Sequence, residues 1–271
     1  MSATVPTTAA ATTLPAISPI PFSRLVTVEF RKSWNTKASF WLLFAIGAVV
    51  LIAEFIAALV LALNNDGHTV VDLGTFAGVA GFVCELMLPV LAIMLVTSEW
   101  SQRTAMVTFT LEPRRREVIM AKLAVALIWT ALTVVFALVM GVIFNLLYTA
   151  VGGTMAWSGG KGVIGFVIIQ TVLMLIGFAW AALVLNTPAA IVIYYAFWFA
   201  VPTILQIGNA LIGWFHHFTQ WIFFQQATSP LYDGFWHMSG SQWGHLVVAL
   251  LVWLAVPLYF GLRRISRAEI K

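Results

Sequence analysis

Charge is what this sequence has least of. Lys, Arg, Asp and Glu together make up 9% of its 271 residues, against about 25% in an average soluble domain. Too few ionic groups remain to clothe a soluble surface, and 61% hydrophobic residues with a mean hydropathy of +0.97 put the chain in a membrane. Cysteine is almost missing as well. The single Cys84 falls in an apolar run, which excludes an intramolecular disulfide and a cysteine-based zinc site. A phosphate-binding loop is also lacking. Its nearest approach, Ser158-Gly159-Gly160-Lys161-Gly162, has Met155 where the first glycine is required and Gly162 where Ser or Thr is required, so ATP is not bound by that device.

Two further absences narrow the function. The histidines His68, His216, His217, His237 and His245 form no HExxH pattern and have no supporting Cys or carboxylate spacing, so no metal site is expected. No serine or aspartate motif suits hydrolysis inside a membrane, so neither catalytic residues nor a cofactor are expected in this chain. The net charge of +4 does not make a nucleic-acid face, because the basic residues gather at the ends of apolar runs.

What is present is a set of apolar runs. The pattern predicts an all-α integral membrane protein with six spans, at 40–63, 74–97, 123–151, 163–185, 189–212 and 246–262. Each suits a hydrocarbon core of about 30 Å at about 1.5 Å per residue. Thirteen of the fourteen basic residues then fall on one side: Arg24, Arg31, Lys32 and Lys37 before span 1, Arg103, Arg114, Arg115, Arg116 and Lys122 between spans 2 and 3, and Arg263, Arg264, Arg267 and Lys271 at the end. Only Lys161 is left for the other side. The positive-inside rule makes the crowded side cytoplasmic, with both termini there.

Residues 1–21, rich in Ala, Thr and Pro, are expected to be a disordered cytoplasmic tail without a cleavable signal. From 22 to 38 the apolar Phe22, Leu25, Val26, Phe30 and Trp34 recur every three to four positions, with Arg24, Glu29, Arg31 and Lys32 between them. That pattern suits a helix lying in the cytoplasmic interface with its basic face toward lipid head groups; a plain charged flank is the alternative. Residues 263–271 form a basic cytoplasmic tail. The segment 213–245 is crowded with aromatics yet broken by Gln, Ser, Gly and Pro230, which fits short helices dipping into the outer leaflet.

Glu54 and Glu85 are the ionisable residues deep in the spans, at nearly equal depth. Neighbouring antiparallel spans would let their carboxyls share a site. They either line a translocation route or hold helices together. Gly74, Gly78 and Gly81 give span 2 a small-residue face, and Pro89 kinks the same helix, for packing or as a gating hinge.

The polar stretch 98–122 stands out between spans 2 and 3. Val28-Glu29-Phe30-Arg31-Lys32, Thr36 and Phe40-Trp41-Leu42-Leu43, taken with Glu99, Thr104, Pro113, Arg114 or Arg115 and Lys122, resemble the entry segment and central loop of bacterial type-2 ATP-binding-cassette exporter permeases. Arg103 departs from that pattern, where many relatives carry a small Gly. The resemblance implies a dimeric permease subunit in the bacterial cytoplasmic membrane, binding two copies of a cytoplasmic ATPase that holds the ATP and Mg. It also implies a coupling helix at about 99–111, with Glu99, Trp100, Arg103, Thr104, Phe109, Pro113, Arg114, Arg115 and Lys122 as coupling residues. The arginine run serves either as a topology anchor against lipid phosphates or as a docking contact. Export of a hydrophobic or amphipathic compound follows. The competing readings are a proton-coupled secondary transporter using Glu54 and Glu85, and a membrane scaffold or sensor that transports nothing.

Overall fold

The computed structural model describes residues 20–64, 70–102, 104–111, 114–156, 162–232 and 235–267. Expectations that fall on residues 1–19, Asp66, His68, Arg103, Pro113, 157–161 and 268–271 lie outside the described residues. The protein is an α-helical, multi-pass membrane protein, with six helices long and apolar enough to cross a bilayer.

Helix α1 (Phe22–Asn35) ends at Thr36, an extended residue whose hydroxyl accepts from the Ser39 N–H at 3.3 Å and so caps α2 (Lys37–Leu63). A short strand, β1 (Val70–Asp72), leads straight into α3 (Leu73–Ser101), where Asp72 accepts from the Thr75 N–H at 2.9 Å as the cap. Helix α4 (Ala105–Leu111) is separate and short. Then comes α5 (Arg115–Ala150), whose 36 residues make a rod of roughly 54 Å, well beyond the hydrocarbon thickness. Strand β2 (Thr154–Ala156) precedes α6 (Gly162–Val184). Asn186 caps α7 (Thr187–Tyr195) through the Ala189 N–H at 3.0 Å.

Prolines shape the last two spans. Helix α7 passes through a five-residue π turn, Ala196–Ala200, into α8 (Val201–Leu211). After the short helices α9 (Phe215–Ile222) and α10 (Phe224–Thr228) and two one-turn 3₁₀ segments, α11 (Gly240–Leu250) passes through a second π turn, Leu251–Ala255, into α12 (Val256–Arg267). Pro202 and Pro257 sit at the second position beyond each π turn. A helical proline clashes with the carbonyl four residues back and leaves it without its N–H, and the wider turn relieves the clash. In the first case the released carbonyl of Trp198 accepts from Gln225 Nε2 at 3.3 Å. Pro89 does the same inside α3, and the Glu85 carbonyl it releases accepts from the Tyr194 hydroxyl. Pro89 is thus tied into the packing of α3 against α7.

Helix α3 is the hub, packed by α2, α5, α6 and α7, while α6 also receives α12. Of the three glycines expected to form a close-packing face on span 2, Gly81 alone meets another helix: a Cβ there would lie 2.5 Å from the Phe166 ring of α6. A less forgiving approach lies on α6, where a Cβ on Gly177 would come within 2.7 Å of the backbone carbonyl oxygen of Pro89, which cannot swing aside as a ring can. Gly177→Ala is therefore expected to lower stability by about 1–3 kcal/mol in thermal unfolding. Gly47→Ala, where nothing lies within 4 Å, should stay within about 0.5 kcal/mol of the parent. Equal effects of the two would refute this packing.

The structure departs from the sequence-based layout in three places. The chain is not purely helical, because β1 and β2 pair in parallel, Val70 opposite Thr154 and Asp72 opposite Ala156, at the end of the bundle away from the arginines. Span 6 belongs to a helix that starts at Gly240, not 246, because Ser239 closes a capping box with Gln242. The expected single helix over 99–111 is broken: α3 runs on through Ser101, and the Thr104 N–H turns back onto the Glu99 carbonyl at 2.9 Å, which ends it.

Candidate coupling site

The site lies at the arginine-rich end of the bundle and begins with α1. Hydrophobic periodicity put Glu29 on an outward polar face; instead Glu29 is 4% exposed and Ser33 is buried beside it, whereas Phe22 and Trp34 are exposed. Helix α1 packs on α5 through a stacked pair, Phe30 on Trp129 with ring centroids 5.4 Å apart, and through Trp129 Nε1 donating to Ser33 Oγ at 2.8 Å. Ring stacking of this kind is worth about 0.5–1.5 kcal/mol beyond the area it buries.

Burying Glu29 requires a partner, and Lys122 of α5 supplies it, with Nζ 2.6 Å from Glu29 Oε2. Lys122 also lies 3.3 Å from Glu99 Oε1 and donates to the Leu95 carbonyl at 3.1 Å, so a cation from α5 closes the last turns of α3. Lys32, one turn beyond Glu29, bridges the two carboxylates at 2.7 Å and 2.8 Å. Two carboxylates and two ammonium groups thus form a neutral, mostly buried cluster joining α1, α3 and α5. Such a cluster does not by itself add stability over apolar packing, but removing one member strands the others. Burial works against the Lys32 ammonium, yet the two carboxylates outweigh it and hold its pKa above the ordinary lysine value of 10.5. A raised lysine contributes stability that is intact below its unfolded value and is lost as pH rises through the folded one. Unfolding temperature should therefore show no lysine-linked loss up to about pH 10, and a loss already at pH 8 would contradict the pairing.

Helix α4 joins the same cluster from below. Thr108 donates to Glu99 Oε1 at 3.2 Å. Phe109 is buried between Trp100 of α3, at 6.2 Å between centroids, and the Arg115 guanidinium, 5.1 Å above its ring. Arg115 also reaches the Ile265 and Ser266 carbonyls of α12, at 3.5 and 3.4 Å. Arg114 pairs with Glu117 at 2.7 Å. On the other side of α3, Thr97 and Ser101 meet Thr187 at the start of α7, at 2.7 and 2.8 Å. Met106 and Val107 remain exposed on α4, at 52% and 60%. A cavity of about 370 Å³ opens beside the cluster, lined by Lys32, Thr36, Ser98, Thr104 and Thr108 among others.

Of the expected coupling residues, the structure brings Glu99, Trp100, Thr104, Phe109, Arg115 and Lys122 together around α4, with Arg114 at the adjoining start of α5. Glu99 and Lys122 are 6% and 5% exposed, so neither is open to direct contact by a second protein. They hold α4 to the spans instead. Glu29 and Lys32 were read as part of the entry segment and not of the coupling site, and Thr108 was not singled out. The available signal was a lone acid on an otherwise basic helix, spaced i, i+3 from a lysine.

The deep carboxyls are kept apart. Glu85 Oε1 accepts from the Tyr232 hydroxyl at 2.5 Å. Glu54 lies on the stripe Ile46, Val50, Glu54 that α2 buries, and no donor reaches either of its oxygens among the described residues. Among the described residues no hydrogen bond joins the two carboxyls. Since neither Glu54 oxygen makes a well-formed hydrogen bond among the described residues, Glu54→Met should leave stability unchanged or raise it, whereas Glu85→Met strands the Tyr232 hydroxyl and should cost about 1–3 kcal/mol. Thermal unfolding in detergent compares them, and the reverse order would refute this placement.

Among the described residues no three His, Cys, Asp or Glu side chains converge to hold a metal ion. No protein-family model matches this chain, and no curated protein matches it in sequence.

Proposed function

We propose that this protein is the membrane-spanning permease subunit of an ATP-binding-cassette exporter. On this reading the six spans place both termini and α4 on the cytoplasmic side of a bacterial inner membrane. The chain pairs with a second permease copy and two ATPase subunits, which bind ATP and Mg. It moves a hydrophobic or amphipathic compound outward. The observation that carries the reading is the attachment of α4: a short exposed helix whose inner side is fixed, through Thr108, Phe109 and Glu99, to a buried charge cluster shared by α1, α3 and α5. An element gripped from outside and held this firmly inside passes a displacement to three helices at once. Two conformations of the route between permease copies would then be biased by ATP-dependent closure of the partners.

The alternative is a proton-coupled secondary transporter using Glu54 and Glu85, between which no hydrogen bond runs among the described residues. Co-expression with an ATP-binding-cassette ATPase encoded beside the gene, followed by purification and reconstitution, tests the proposal. Stable co-purification with ATP turnover is expected. Transport by the purified chain alone in a proton gradient would overturn it.

A further inference from the structure

A second feature of the arginine-rich end lies outside the coupling cluster, in the groove between α5 and α12. The groove has a volume of about 600 Å³. Its rim carries Arg116 from the first turn of α5, and Arg263 and Ser266 from the last turns of α12. Its apolar wall is formed by Met120, Tyr259 and Leu262, exposed at 52%, 60% and 37% on helices that cross the membrane.

The charges on this rim are unbalanced. Among the described residues, neither Arg116 nor Arg263 has a carboxylate or hydrogen-bond partner for its guanidinium. Nearby Glu117 is taken by Arg114. Arg115 and Arg264 are directed at the backbone carbonyls of Ile265, Ser266 and Leu183 and bring no negative charge. Two solvated guanidiniums thus stand over an oily channel that continues along the spans.

We infer that this groove is a binding site for an anionic phospholipid, its phosphate held by Arg116 and Arg263 and its acyl chains lying along Met120, Tyr259 and Leu262. Guanidinium forks match phosphate oxygens, and the Ser266 hydroxyl adds a donor at the same level. The wall decides between a lipid and an acidic protein surface. A docking protein would leave Met120, Tyr259 and Leu262 facing hydrocarbon to no purpose, whereas a two-chain lipid covers them and meets the arginines with the same molecule. The groove formed by Trp34, Phe40, Phe44 and Trp129 offers the contrast, since its lining carries no charge and gives no reason to prefer one head group over another. The inference does not depend on the exporter proposal, because it requires only a membrane and these two helices.

Native mass spectrometry of the purified full chain, equilibrated with equal amounts of phosphatidylglycerol and phosphatidylcholine of identical chains, tests it. The wild type should retain phosphatidylglycerol in preference by roughly tenfold. The double variant Arg116→Gln/Arg263→Gln, which breaks no ion pair or side-chain hydrogen bond among the described residues and should unfold at the parent temperature, should fall to near parity. Arg24→Gln/Arg31→Gln on α1 should keep the preference. Inorganic phosphate in large excess should not displace the lipid, and displacement would mean a free-anion site instead. Equal retention of both lipids by the wild type, or a preference that survives the double substitution, would overturn the proposal. So would a double variant that keeps its lipid but no longer binds the ATPase, which would make the groove a protein-docking surface.

Discussion

Lys122→Ala is expected to lower stability by about 3–5 kcal/mol, more than any other side-chain truncation at this end of the bundle. The ammonium lies 2.6 Å from Glu29 and 3.3 Å from Glu99 and donates to the Leu95 carbonyl. Its loss leaves two carboxylates buried at 4% and 6% exposure with only Lys32 to answer them. Lys32 is a poor substitute, because its side chain is 42% exposed and its pairing is screened by water. A double-substitution cycle separates the pair from its setting. Glu29→Met with Lys122→Met should be less damaging than the sum of the singles, since no charge is stranded when both leave. Thermal unfolding in detergent reads all four corners. Lys122→Ala within about 0.5 kcal/mol of the wild type would mean that the cluster is solvated in the working protein and holds nothing in place.

Met106→Glu should act on partnership instead of folding. Met106 is exposed at 52% on α4, while Thr108 and Phe109 attach the helix to the cluster, so a carboxylate at 106 meets water and leaves the fold within about 0.5 kcal/mol of the parent. If the exposed face of α4 seats in the ATPase, the same carboxylate is buried against it without a partner. A loss of about 2 kcal/mol or more, roughly 30-fold in affinity, is expected. Met106→Leu should restore binding. Unchanged affinity in both Met106→Glu and Val107→Glu would remove α4 as the docking element, and a fall in thermal stability equal to the fall in affinity would mean that these residues are structural.

The large features were readable because they depend on long runs of one kind of residue. Six apolar stretches with basic ends leave few arrangements, and each falls on a membrane-length helix. The short aromatic helices after α8 were readable for a related reason, since Pro230 and the polar interruptions forbid a span. The coupling site was only half legible. Glu99, Phe109, Arg115 and Lys122 were named through the resemblance to exporter permeases, but helical periodicity assigns charged residues to the outer face, and that rule sent Glu29 to the wrong side of α1. What reverses it is Lys122, ninety-three positions away. Depth alone could not say what Glu54 and Glu85 each meet, because equal depth says nothing about azimuth. Glu85 faces Tyr232, and Glu54 faces the α2 interface. The three-residue parallel strands are too short for any alternation to announce them. Pro202 and Pro257 stand just beyond the π turns but drew no attention in the sequence, where each sits inside an unbroken apolar run.

Helix α4 and helix α1 are held by one charge cluster and should therefore move together. Spin labels on Thr110→Cys and Thr27→Cys, both exposed positions, in a Cys84→Ala background report the distance between them in the reconstituted complex with its ATPase. Coupling through the cluster predicts that this distance, and the distance from Thr110 to a label at Val151 at the far end of α5, both stay constant between the nucleotide-free and ATP-bound states, while the distance between Val151 labels on the two permease copies changes. A shift of Thr110 relative to both Thr27 and Val151, with the distance between the two Val151 labels unchanged, would mean that α4 moves without carrying the spans, and would contradict the mechanism.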